Sequence, residues 1–167
     1  WSEEPQGFVD IDIDQRRPGL ETMQMFVDAE LEPPPVANLF GMSPTAVAEG
    51  EITWTAPASP WWSSPGPFIY GGALGVLADV AQNTAFWTVL PAGSAYANLD
   101  LKIQFVRPVF ADGRPLTARG FVTHRGRSIM IGGVEVQNAD GKTVLFGTGS
   151  AAVLPDGFGV LLAQRQR

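Results

Sequence analysis

The chain has 167 residues, 45% of them hydrophobic, which is enough for one domain with a substantial core but not for two full-sized domains. Its 17 acidic and 11 basic residues give a net charge of −6, which repels phosphate backbones and argues against nucleic acid as a partner. The sequence has no cysteine and one histidine, His124, which excludes disulfides, thiolate nucleophiles and zinc sites built from cysteine or several histidines. Any catalysis or ligand binding by this chain must therefore depend mainly on carboxylates, hydroxyls, amides and backbone groups.

No apolar stretch reaches the roughly 18 to 20 residues that a membrane span needs. The longest candidate, residues 71–90, is interrupted by Asp79, Gln82 and Asn83. We therefore expect a cytoplasmic protein with no membrane partner. Because the sequence starts at Trp1 rather than at methionine, we also expect it to be a trimmed or processed form.

The first third of the chain predicts an extension followed by the start of a sheet. Residues 1–17 are polar and charge-rich, typical of a mobile lead-in, and apolar residues from Leu20 to Leu31 then recur at helical spacing. This short amphipathic helix should pack on the outside of the main fold. A helical turn at 36–40 and a first strand at 47–56 should follow, with Ile52 and Trp54 on one side of that strand. The predicted units are an N-terminal extension (1–33), one domain (34–155) and a C-terminal tail (156–167).

The rest of the chain predicts one long helix and then strands. Residues 71–90 are good helix formers that are apolar nearly all round, so other elements should surround this helix. Apolar and polar residues then alternate from Asn98 to Phe105, which is typical of a half-buried strand. Three more strands, at 116–124, 128–138 and 143–154, are joined by short turns and should be antiparallel. The pattern indicates an α+β fold in which an antiparallel sheet curls around one central helix.

Asp79 is the most informative residue, because a carboxylate in an apolar helix is costly to bury and usually serves a function. The alternative is structural: Gly75, Asp79, Gln82 and Asn83 lie three and four positions apart and would form a thin polar stripe on one helix face. The residues alone leave both interpretations open.

The motifs around Asp79 resemble a known family. Tyr70-Gly71-Gly72 opens the helix, Asp79 follows seven positions after Gly72, the strand from Asn98 ends at Pro108, and Gly126-Arg127 lies in a later turn. In this order and spacing they resemble the hotdog-fold acyl-CoA thioesterases of the phenylacetic-acid-degradation type, over residues 34–155. The resemblance implies a hotdog fold, hydrolysis of an acyl-CoA thioester without a metal or a separate cofactor, and a homodimer or homotetramer with its active site between subunits.

The resemblance also implies roles for individual residues. The Gly71 N–H would polarise the thioester carbonyl at the helix N-terminus, and Asp79 would act as nucleophile or activate water. Asn98 and Ser64 match positions that help to place the water, the acid or the substrate. Tyr70 stands where the family usually has histidine. The residues implied in substrate binding are Tyr70, Gly72, Gln82, Asn83 and, for the coenzyme A phosphates, Arg125, Arg127 and Ser128.

Other interpretations remain at this stage. The turn at 124–127 is equally typical of a solvated hairpin end. Tyr70 and Ser64 depart from the family pattern, which would also suit a protein that binds acyl-CoA or another small ligand without turning it over. A hotdog dehydratase is less favoured because no Asp and His pair opens the helix, and the absence of a Gly-x-Ser-x-Gly motif argues against a Ser-His-Asp triad.

Overall fold

A computed structural model describes residues 16–158, together with residues 5 and 7. Most of the predicted lead-in, and the tail beyond residue 158, therefore lie outside the described residues. The described α-helices and strands, in chain order, are α1 (Gly19–Val27), α2 (Pro35–Phe40), β1 (Ser43–Ala48), β2 (Glu51–Pro57), α3 (Gly71–Thr88), β3 (Ala95–Phe105), β4 (Pro115–Arg125), β5 (Ile129–Gln137) and β6 (Thr143–Leu154), with one 3-10 turn (Pro60–Trp62) before α3.

All six of these strands form one antiparallel sheet in the order β1-β2-β4-β5-β6-β3, and α3 packs on its inner face. This confirms the predicted arrangement of a sheet around one long central helix. The core between helix and sheet includes Ile52 and Trp54 of β2, which point inward as their alternation indicated. The Trp54 indole N–H donates a hydrogen bond of 2.9 Å to the Thr84 hydroxyl on α3, so its polar atom is satisfied.

One detail of the sheet differs from expectation, and another was not predicted. The predicted first strand at 47–56 was wrong in extent, because the chain turns at Glu49 and Gly50 and forms two strands, β1 and β2. Only Pro44 of β1 is buried. This edge strand therefore lacks the alternation of apolar and polar residues from which a strand is predicted in a sequence. In addition, β3 pairs with the last strand, β6, rather than with its sequence neighbour β4, which leaves β3 at the other edge.

The short helix α1 packs against α3 and β1, and its buried side chains are part of the main core. Its Met23 and Phe26 are buried, and the Gly19 N–H donates a 3.0 Å hydrogen bond to the Leu90 carbonyl just beyond the end of α3. Within the described part of the chain, no helix has the length and apolar character needed to cross a membrane.

The helix lies very close to the sheet at one point. A Cβ atom on Gly120 of β4 would lie 2.0 Å from the Ala81 carbonyl oxygen of α3, so no side chain fits between the two backbones. This contact fixes the height of α3 above the sheet.

We predict that Gly120→Ala lowers the free energy of unfolding by about 1–3 kcal/mol, because the added methyl group forces the helix away from the sheet. Gly72→Ala is the matched control, since a methyl group there meets nothing within 4 Å. Denaturant unfolding measures both. Equal stability of the two variants would contradict the close contact.

Candidate active site

The N-terminus of α3 presents two free backbone donors. Tyr70 precedes the helix without a side-chain cap, and its carbonyl accepts hydrogen bonds from Ala73 N (3.0 Å) and Leu74 N (3.4 Å). The N–H groups of Gly71 and Gly72 have no hydrogen-bond partner among the described residues, because the first turn of a helix has no preceding carbonyls to accept from it. These N–H groups, at the positive end of the helix dipole, suit a carbonyl oxygen on which negative charge develops.

The loop before α3 holds this helix start in place. Tyr70 N donates to the Trp62 carbonyl at 2.8 Å, and Ile69 N donates to the Val109 carbonyl at 2.9 Å. The Ser64 hydroxyl accepts a 3.3 Å hydrogen bond from Gly66 N within the same loop, and the Tyr70 side chain is exposed. The structure thus places Ser64, Tyr70, Gly71 and Gly72 together at the N-terminal end of α3.

Asp79 lies two turns further along α3 and is half-buried. Burial raises the pKa of Asp79, and a hydrogen bond from the Asn83 side chain partly opposes this effect by favouring the charged form. The Asn98 amide on β3 also donates to Asp79 Oδ1, over a long 3.4 Å. The acid is therefore a carboxylate of raised basicity, oriented by two amide side chains.

Asn98 reaches Asp79 because β3 contains a bulge. Asn98 pairs with Ala151 of β6, but the next pair is Asp100 with Ser150, so Leu99 is an extra residue without a partner. A strand that alternated without interruption would place Asn98 on the face opposite Ile103, whereas the bulge places both on the side of α3. The strict alternation predicted for this strand was thus wrong at Leu99.

One stripe of α3 faces the edge strand β3. A Cβ atom on Gly71 would meet the Phe105 ring at 2.8 Å, one on Gly75 would meet Ile103 at 3.4 Å, and Asp79 accepts from Asn98. The polar stripe identified in the sequence therefore points toward the sheet edge.

Gln82 continues this stripe but is only 2% exposed. Its side chain packs against Gly149 of β6, where a Cβ atom would lie 2.4 Å from Gln82 Nε2, and its Oε1 has no hydrogen-bond partner in the described chain. In the single chain, Asn83 contacts the acid while Gln82 lies beneath the sheet.

The two arginines of the β4–β5 turn lie at the other end of α3. Arg125 and Arg127 line a pocket of about 380 Å³ together with Leu90, Pro91 and Ser94, which follow the helix C-terminus. Arg125 lies 3.8 Å from Glu49, an exposed and weak ion pair, and Arg127 forms no ion pair with the residues described. The Ser128 carbonyl accepts from Val153 N at 2.9 Å. This cationic pocket is therefore separate from both Gly71 and Asp79, and it lies beyond the C-terminal end of α3.

The spacing between Gly71 and Asp79 limits what one chain can do. Eight residues of α-helix at about 1.5 Å per residue separate the two groups by about 12 Å along the axis. A single thioester carbonyl cannot contact both the Gly71 N–H and the Asp79 carboxylate of the same chain. Within the described chain, no group of three or more histidine, aspartate or glutamate residues is placed to hold a metal ion.

Comparison with known proteins agrees with this geometry. The model of the thioesterase superfamily matches residues 66–145, which contain both Gly71 and Asp79. A conserved protein of known structure from Pseudomonas aeruginosa is 30% identical, with a TM-score of 0.65, and the alignment covers 71% of this chain and 92% of that one. The chain belongs to the thioesterase superfamily.

Two other solved structures place it more narrowly. The PaaI protein from the phenylacetic acid degradation operon of E. coli is 27% identical, with a TM-score of 0.70 over 79% of this chain and 93% of that one. A phenylacetic acid degradation-related protein from Ralstonia eutropha is 26% identical, with a TM-score of 0.70 over 78% and 98% of the two chains. The predicted resemblance to the hotdog thioesterases of this type is thereby confirmed. A comparison with curated proteins gave no match.

Sequence reasoning missed two features of the site. The bulge at Leu99 leaves no mark in a strand whose apolar and polar residues alternate without interruption. The contact of Phe105 with Gly71 was also missed, although an aromatic residue at the end of the strand that borders the helix could have suggested it.

We predict that Asp79→Asn raises the melting temperature at neutral pH by a few degrees. Because burial raises the pKa of Asp79, the folded chain binds this proton more readily than the unfolded chain, and ionisation destabilises the fold as pH rises through that pKa. The difference between variant and parent should shrink as pH falls and the acid becomes protonated in both states. Thermal melts across this pH range measure it.

The control is Asp100→Asn, which changes an exposed acid on the outer face of β3 and should not reproduce this trend. If Asp79→Asn is destabilising at neutral pH, the carboxylate is stabilised by its surroundings rather than strained by burial.

Proposed function

We propose that this protein hydrolyses an acyl-CoA thioester to a free acid and coenzyme A, at a site shared by two subunits. The observation that carries the proposal is the separation of about 12 Å between two complementary groups on one rigid helix. One is a free N–H pair that suits an oxyanion, and the other is a basic carboxylate. Membership of the thioesterase superfamily supports the same reaction.

A second copy of the chain can bring these groups together. β3 is an 11-residue strand at the edge of the sheet, and one of its sides has no strand partner in the described chain. Pairing of two β3 strands about a twofold axis would set the two α3 helices antiparallel, so that Gly71 of each chain approaches Asp79 of the other. The active unit is then a homodimer or a homotetramer with two sites per pair of chains.

In the proposed reaction, the thioester oxygen accepts a hydrogen bond from the Gly71 N–H, which stabilises the negative charge formed on attack. Asp79 of the other chain either adds to the carbonyl carbon or takes a proton from the water that adds to it. The C–S bond then breaks, and the coenzyme A thiolate takes up a proton. In the general-base route this releases the free acid directly, whereas in the nucleophilic route it leaves an acyl anhydride on Asp79, which a water molecule hydrolyses to the free acid and the regenerated carboxylate. Asn83 and Asn98 hold the carboxylate in its charged, oriented form.

The cationic pocket at the other end of α3 is the proposed binding place for the coenzyme A phosphates. It lies on the same chain as Asp79, and Arg127 brings a positive charge with no ion-pair partner in the described residues. The direction from Asp79 to this pocket runs along α3 toward its C-terminus.

We predict that Asp79→Ala lowers kcat by about a hundredfold or more, because the general base or nucleophile is lost. Gly71→Pro should be similarly inactive, since proline removes the N–H and its fixed φ suits the first helical position. Because the proline Cβ also meets the Phe105 ring at 2.8 Å, Gly71→Ala, which adds the same Cβ but keeps the N–H, is the matched control and should stay more active. Hydrolysis of a panel of acyl-CoA thioesters, followed by release of free thiol, measures both. An Asp79→Ala variant as fast as the parent would show that the assignment is wrong.

Combining the two substitutions in one heterodimer, one in each chain, tests whether the active site is shared between subunits. Heterodimers of one Asp79→Ala chain and one Gly71→Pro chain, isolated through two different tags, contain one intact site and should recover about half of the parent activity. If each chain carries its own complete site, these heterodimers will be as inactive as the two homodimers.

For the coenzyme A pocket, we predict that Arg127→Ala raises KM for an acyl-CoA about tenfold. This is the loss of binding expected when one charge-assisted hydrogen bond to a phosphate is removed. KM for the matching acyl-pantetheine, which lacks the nucleotide phosphates, should not change. Arg114→Ala is the control, because this arginine pairs with Asp140 away from the pocket. An equal effect on both substrates would contradict phosphate binding.

The second candidate is a protein that binds acyl-CoA without hydrolysing it. One observation favours it: the Ser64 hydroxyl accepts a hydrogen bond from Gly66 N in its own loop. This hydroxyl is therefore already engaged at the position where the family resemblance implies a group that orients the water or the substrate. Thermal stabilisation by acyl-CoA without release of thiol would support this candidate, and steady hydrolysis would exclude it.

A further inference from the structure

An apolar groove lies directly beside the N-terminus of α3. It has a volume of about 530 Å³, within the range of small-molecule sites. Its lining includes one charged side chain, and that residue, Arg107, donates a hydrogen bond to the Thr143 carbonyl at the start of β6. The side chains that give the groove its apolar character are Phe68, Leu74, Phe105, Val106 and Val109.

Phe105 occupies the point where this groove meets Gly71. A Cβ atom on Gly71 would lie 2.8 to 3.3 Å from three atoms of the Phe105 ring, so the tip of the ring rests on the glycine itself. The side chain is nevertheless 51% exposed, because it stands at the end of the edge strand with the open groove beside it. An acyl chain that extends into this groove from a carbonyl at the Gly71 N–H would therefore run beside this ring.

The chemistry of the groove favours an uncharged acyl group. When a thioester oxygen accepts from Gly71, the acyl carbon chain extends from the same carbonyl carbon and needs a neighbouring space. Burying apolar surface there is favourable, whereas a charged acyl group would lose its hydration without a partner.

We propose that this groove binds the acyl group of the substrate, that the acyl group is apolar, and that Phe105 is a specificity-determining residue that limits its size. This inference rests on the proposed function, since it assigns one part of the same thioester to a place in the fold. It assigns to Phe105 a role separate from the polarisation of the carbonyl by Gly71.

The test is the acyl preference of Phe105→Ala. Removing the ring opens the groove, so kcat/KM for phenylacetyl-CoA and octanoyl-CoA, divided by kcat/KM for acetyl-CoA, should rise about tenfold or more. Phe105→Trp should shift the ratio in the opposite direction. The matched control is Phe146→Ala, which removes a ring of similar exposure (47%) from the outer face of the sheet and should leave the ratio unchanged.

Size-exclusion chromatography and thermal melts of each variant identify changes of assembly or folding, and Phe105→Leu provides a milder change if Phe105→Ala fails to fold. Unchanged acyl ratios in the Phe105 variants of an active protein overturn this inference and leave the proposed function intact. If the parent hydrolyses no thioester, the proposed function fails. In that case, the binding affinities of phenylacetyl-CoA and octanoyl-CoA, each divided by that of acetyl-CoA, are compared between the parent and the Phe105 variants. A higher ratio in Phe105→Ala supports the role of the groove, and an unchanged ratio overturns it.

Discussion

The backbone contact between Gly120 of β4 and Ala81 of α3 is the constraint on which the rest of the structure depends. A helix that touches a strand without intervening side chains has little freedom to slide or rotate over the sheet. The rotation of α3 about its axis decides which residues face the edge strand β3. Gly71, Gly75 and Asp79 all lie on that stripe, so one packing contact in the core determines where the start of the helix and the acid face.

The same stripe is where the fold carries polar groups that packing alone does not require. Asp79 has a pKa raised by burial, and the Gln82 Oε1 atom on the next turn is buried without a partner in the described chain. Each of these costs stability relative to an apolar side chain of similar size. The helix would pack on the sheet more favourably with leucine or alanine at both positions. The proposed catalytic use of Asp79 would account for the carboxylate, and the structural alternative of a solvated polar stripe does not fit a side chain as buried as Gln82.

Periodicity and turn residues were enough to predict α3, the strands that follow it and the wrapping of the sheet around the helix, because long apolar or alternating segments report burial directly. They failed where burial gives no pattern. The edge strand β1 has a single buried residue, and the partner of β3 is set by contacts between distant segments. Asn98 shows the limit most clearly. The family resemblance indicated its position in the site, whereas the alternation of its strand indicated the opposite face, and only the bulge at Leu99 reconciles the two.

The fixed spacing on α3 also determines how a substrate would lie in the proposed assembly. The acyl groove adjoins Gly71 of one chain, while Asp79 and the cationic pocket with Arg127 belong to the other. With antiparallel helices, the direction from Asp79 to that pocket runs past the N-terminus of the partner helix. A bound thioester would therefore span the interface, with its acyl group held by one chain and its coenzyme A by the other. Because such a ligand binds only the assembled form, its binding would also stabilise the association of the chains by mass action.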